Sequence, residues 1–86
     1  MKYFTINNED FNIIKSLSYK IKNYNEDTFN GFILFYFEYK NIIYHRMQNR
    51  LQTIIKLIEL WNKLPINSKF HYITNYYEDY QDAYSF

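Results

Sequence analysis

The chain has 86 residues, a net charge of +1 and no cysteine. That length supports one modest core and not two, and the missing thiols exclude disulfides, thiolate zinc sites and thiol chemistry. Nearly a quarter of the residues are aromatic, including eleven Tyr and eight Phe, which sets the chain apart from disordered sequences and predicts a packed fold along all of 1–86.

Residues 2–6 (KYFTI) are β-branched and aromatic and predict a first strand. Asn7 then occupies an N-cap position, with Asp10 at N3 and with Ile6 and Phe11 placed as a hydrophobic staple. Phe11, Ile14, Leu17 and Ile21 form the apolar face of the helix that follows. Glu9 and Asp10 at its start and Lys20 and Lys22 at its end complement its dipole.

Residues 23–31 (NYNEDTFNG) gather turn formers and the single glycine, and predict a loop. Phe32 to Glu38 is a dense apolar run of the kind found in a strand buried on both faces. A return at residues 39–41 leads to a second strand over Ile42 to Arg46. With no Gly or Pro between Phe32 and Leu64, one long helix from about Glu38 is the competing reading.

Met47 to Leu64 is the strongest helical pattern. Met47, Leu51, Ile54, Ile58 and Trp61 share one face, and Pro65 stops the helix. Lys69 to Thr74 alternates as a last strand, although Phe70, Ile73, Tyr77, Tyr80 and Tyr84 also keep helical spacing over 68–84. The order βαββα, closed by that last strand, predicts a small α+β sandwich of ferredoxin-like topology, with two helices on an antiparallel sheet. An all-α helical bundle is the alternative.

The chemistry-bearing residues are sparse. His45 and His71 have no second ligand at metal spacing, adjacent carboxylates fall at helix ends or loops, and Gly31 alone cannot build a phosphate loop. No catalytic residue, cofactor site or metal site is therefore expected, and the chain reads as a non-enzyme. The N-terminal decapeptide lacks a signal-peptide core, and Phe32 to Phe37 is too short to cross a bilayer, which predicts a cytoplasmic protein with no membrane partner.

Charge is distributed unevenly. Residues 40–63 carry five cations against Glu59, whereas residues 76–86 carry three anions and no cation. Tyr76, Tyr77 and Tyr80 interleave with Glu78, Asp79 and Asp82 in a loosely packed, tyrosine-rich tail, a composition suited to docking on a basic protein surface. Arg46, Arg50, Lys56 and Lys63 form the alternative site, a basic helix face for nucleic acid. Abundant Asn, Ile, Lys and Tyr match an AT-rich genome. Together these features lead to the expectation of a small protein-binding inhibitor from a phage or mobile element. Its partner would be a host enzyme or defence nuclease, blocked by occlusion. Regulation through nucleic-acid binding is the second expectation, and mutual burial of aromatics in a homodimer a third.

Overall fold

A computed structural model describes the backbone of residues 6–84 and the side chains of residues 6–78. Four helices follow in order: α1 (Asn8–Ser16), α2 (Glu26–Met47), α3 (Arg50–Lys63) and α4 (Ile66–Tyr84), with a 3₁₀ turn at Ser18–Lys20 between α1 and α2. Among the described residues there is no strand. The α+β sandwich is thereby overturned, and the architecture is the all-helical alternative.

The first helix begins as its sequence demands. The Asn7 side chain accepts hydrogen bonds from the Glu9 and Asp10 backbone N–H groups, at 2.8 and 3.4 Å. The helix ends at Ser16, earlier than the Ile21 expected from periodicity. Ile21 nevertheless reaches the core, delivered there by the 3₁₀ turn. The strand expected over residues 2–6 lies outside the described residues except for Ile6.

The main correction concerns residues 26–47. Asn25 and Thr28 form a reciprocal capping box, each side chain bonding the other's backbone N–H, at 2.9 and 2.8 Å. Glu26 and Asp27 in the first turn and His45 and Arg46 in the last favour helix over loop and hairpin. The expected strands at Phe32–Glu38 and Ile42–Arg46, and the return between them, are therefore one helix of 22 residues. Phe32, Ile33, Phe35 and Tyr36 are all buried. A helix wrapped by neighbours on several sides is apolar nearly all round, and over a short run that pattern is indistinguishable from a central strand.

The long helix considered as the competing reading also fails, at Gln48. This residue adopts the left-handed conformation (φ 52°), and Asn49 then caps α3 by accepting from the Gln52 N–H at 2.9 Å. The two-residue break folds α2 and α3 into an antiparallel hairpin. Leu64, extended as residues before proline tend to be, ends α3, and α4 starts directly after Pro65. The expected strand at Lys69–Thr74 is instead part of α4, in agreement with the helical spacing noted over 68–84.

The core lies where α1, α3 and α4 close on α2. Trp61 of α3 sits at its centre, fully buried, with ring contacts to Phe32 (6.1 Å), Phe35 (5.6 Å) and Tyr72 (6.0 Å). Gly31, expected in a loop, is inside α2 and packs closely against Ile73 of α4. A Cβ there would stand 2.7 Å from Ile73 Cγ1 and 2.9 Å from Trp61 Cη2. Asn62 ties the α1–α2 linker down, donating to the Lys20 carbonyl and accepting from the Lys22 N–H, both at 2.9 Å.

Candidate functional site

Three places bring polar or exposed apolar groups together, and the first is the junction of α1, α2 and α3. Asp10, fixed by the first turn of α1, accepts the Tyr36 hydroxyl hydrogen bond at 2.7 Å, and its other oxygen lies 3.0 Å from Arg50 Nε. Arg50 also pairs with Glu9. Beside this cluster is a cleft of about 180 Å³, lined by Tyr36, Lys40, Tyr44, Arg50 and Thr53.

The chemistry of the cleft is conservative. Burial first, then the hydrogen bond to Asp10 and its negative charge, push the Tyr36 hydroxyl well above its ordinary pKa of 10.0. The phenol stays protonated, so it is not poised to take a proton from a substrate. One Asp10 oxygen accepts its hydrogen bond, while the other is buried without a hydrogen-bond partner among the described residues and lies within ion-pair distance of Arg50. The arrangement fastens α1 to the α2–α3 hairpin.

A pH effect follows from the same geometry. The folded protein holds the Tyr36 proton more tightly than the unfolded chain, so the stability tied to it is complete below pH 10.0 and is lost as pH rises above that value. Tyr72 acts in the same direction, its hydroxyl raised by burial and by Tyr39 and Glu38. Urea midpoints measured from neutral to strongly alkaline pH should fall beyond pH 10, and less steeply in Tyr36→Phe.

The second place is the tip of the α2–α3 hairpin. Leu51 keeps the phase of the α3 face that Ile54, Ile58 and Trp61 bury, yet it is 46% exposed, and Met47, the last residue of α2, is 40% exposed. Ile42 and Tyr44 are exposed on the last turns of α2, and Tyr44 lines an open depression of about 460 Å³ with Asn41, His45 and Gln48. Sequence periodicity places Met47 and Leu51 on one buried face, because it does not register the break at Gln48 and Asn49 that assigns them to two different helices.

The third place is α4. Its exposed positions are Ile66, Asn67, Phe70, His71, Thr74, Tyr77 and Glu78, which fall on one face, with Ile66 66% and Phe70 57% exposed. Ile66 was assigned to a connection, whereas Phe70 was noted in the alternative helical spacing with Ile73 and Tyr77, of which Phe70 and Tyr77 are exposed and Ile73 is half-buried.

The residues expected to bind protein are divided between inside and outside. Tyr76 packs against the core, edge-on to Tyr77 at 5.6 Å. The Tyr77 hydroxyl donates to Asp27 at 2.5 Å and accepts from Asn30 Nδ2 at 3.4 Å, and the bond to Asp27 raises its pKa. It pins α4 to the first turns of α2. Glu78 is exposed. Asp79, Tyr80 and Asp82 lie on the last turns of α4, and their side chains fall outside the described residues.

The four expected phosphate ligands do not share one helix face. Arg46 ends α2 and makes no ion pair among the described residues, whereas Arg50 starts α3 and is engaged by Glu9 and Asp10. Lys56 is 3.8 Å from Glu59, and Lys63 is exposed at the end of α3. Among the described residues no three potential ligands converge to hold a metal ion, and no helix is long and apolar enough to cross a membrane. No protein family, curated protein or solved structure matches the chain.

Proposed function

We propose that this chain is a small protein-binding module that acts by occlusion, without turnover, in the cytoplasm. Its target in this reading is a host enzyme or defence nuclease, and its carrier is a phage or mobile element. The observation that carries the reading is the uncovered apolar group at the hairpin tip. Ile42, Tyr44 and Met47 in the last turns of α2 and Leu51 in the first turn of α3 are all exposed, and so is Arg46. Tyr, Met and Arg are the residue types enriched at interface centres, and exposed apolar side chains gathered at one end of a fold suit a partner surface.

The contact surface in this proposal moves from the acidic tail to the tip, since Tyr76 and the Tyr77 hydroxyl already hold α4 to the rest of the fold. Arg50 is likewise occupied, which leaves Arg46 to orient the encounter.

The test is affinity capture from host lysate treated with nuclease, comparing wild type with Ile42→Asp/Leu51→Asp. Both positions are exposed, so the variant should keep its helical circular dichroism and melting temperature. One stoichiometric protein recovered by wild type and lost from the variant supports the proposal. Equal recovery by both overturns the tip as the surface. Recovery that vanishes with nuclease overturns protein binding in favour of nucleic acid.

A further inference from the structure

Gly31 is the only glycine and Asn30 precedes it, so the chain contains a single Asn-Gly pair. An asparagine followed by glycine is unusually prone to deamidation, because glycine has no Cβ to hinder attack by its own backbone nitrogen on the preceding side chain. The pair lies inside α2, where three restraints act on it. The Gly31 N–H donates to the Asp27 carbonyl, as α-helical geometry requires. Asn30 Nδ2 donates to the Tyr77 hydroxyl at 3.4 Å, and that hydroxyl donates in turn to the Asp27 carboxylate at 2.5 Å. Gly31 is buried, and the space beside its Cα is filled by Ile73 Cγ1 and Trp61 Cη2. Tyr77 and Ile73 both belong to α4, so that helix supplies two of the three restraints.

We infer that Asn30 is a site of spontaneous covalent modification that α4 holds closed. When α4 lifts and the start of α2 frays, the Gly31 nitrogen gives up its proton to solvent and attacks Asn30 Cγ. The new N–Cγ bond closes a five-membered succinimide, the Cγ–Nδ2 bond breaks, and the amide takes a proton from solvent and leaves as ammonia. Water then adds to either carbonyl of the ring and opens it, which leaves an aspartate or an isoaspartate at position 30. Within the helix the ring cannot close, because residue 30 must leave its helical ψ and the Gly31 N–H must leave its acceptor. An isoaspartate lengthens the main chain by one methylene group inside α2, at the point packed against Ile73, so a modified chain cannot rebuild that contact. Opening of α4 is recorded irreversibly, and its frequency sets the lifetime of the native fold.

The test is mass-spectrometric peptide mapping of the full chain, held at physiological temperature and pH in buffer and in guanidinium chloride. The denatured chain should convert Asn30 ahead of its other asparagines. The native protein should convert it at least about tenfold more slowly, which corresponds to an opening free energy of about 1.4 kcal/mol or more. Tyr77→Phe, which removes the hydroxyl that holds the Asn30 amide, should speed native conversion severalfold and leave the rate in guanidinium unchanged. Tyr36→Phe loosens α1 and not α4, and should convert like wild type; circular dichroism confirms that both variants are folded. No conversion of Asn30 in guanidinium overturns the site. Equal rates in buffer and guanidinium overturn its protection by the fold. A native Tyr77→Phe rate equal to that of wild type, or to that of Tyr36→Phe, overturns α4 as the gate. None of these measurements involves the hairpin tip, so failure of the binding proposal leaves this one standing.

Discussion

Trp61→Ala is expected to remove about 3–5 kcal/mol of stability, the usual cost of truncating a large aromatic in a core. Trp61 is fully buried and its indole meets Phe32 and Phe35 of α2 and Tyr72 of α4, so one side chain joins three helices. Small domains have about 5–15 kcal/mol in total, and the variant should be largely unfolded at modest urea concentrations. The check is a urea titration followed by far-ultraviolet circular dichroism.

Trp61→Phe gives a sharper test of the packing. The indole Nε1 is buried and has no hydrogen-bond partner among the described residues. Removing that donor offsets part of the lost contact area. The phenylalanine variant should therefore lose less than about 1.5 kcal/mol. A loss as large as that of the alanine variant would show that the indole shape itself is indispensable.

Gly31→Ala is the second substitution with a large expected effect, and its direction opposes helix propensity. In an open helix this change stabilises by about 1 kcal/mol. Here the new methyl group meets Ile73 Cγ1 at 2.7 Å, Trp61 Cη2 at 2.9 Å and the Ile73 backbone nitrogen at 3.3 Å. The nitrogen belongs to a packed helix and the indole to the centre of the core, so neither yields freely. Overpacking of this kind costs about 1–3 kcal/mol, which leaves a net loss of up to about 2 kcal/mol. For a domain of this size that lowers Tm by up to roughly 15 °C. A rise in Tm would show that α2 and α4 are not in close contact at this point. The shared neighbour makes a further demand: Gly31→Ala/Trp61→Phe should cost less than the two changes added, because the smaller ring vacates the space the methyl group needs.

These two residues also show what was legible beforehand. Trp61 was placed on the buried face of the strongest helical pattern, and the structure puts it at the centre of the core, because a run of i, i+4, i+7 apolar positions carries its own phase. Gly31 was assigned to a loop with its turn-forming neighbours. Its role in helix packing depends on Ile73, 42 positions along the chain, and no local rule reports that proximity. The candidate surfaces divide the same way. The exposure of Leu51 and the placing of Met47 on α2 both follow from the break at Gln48 and Asn49, whereas the acidic run of residues 76–86 was written in the residues themselves.

What the chain determined locally was its set of caps and stops. Asn7 begins α1, Pro65 separates α3 from α4, and the acidic and basic turns of α1 agree with its direction, since each rests on interactions within a few residues. What only the tertiary structure decided was the identity of residues 32–46 and 69–74, and with them the fold class. Runs such as FILFYF are buried whether they become a central strand or a central helix, and burial alone sets their composition. The choice fell to the capping box at Asn25 and Thr28, to the left-handed turn at Gln48 and to the neighbours that cover α2, of which only the first two are local. The positions of Arg46 and Arg50 were decided with them. A break of two residues put one cation at the end of a helix and gave the other to the carboxylates of α1.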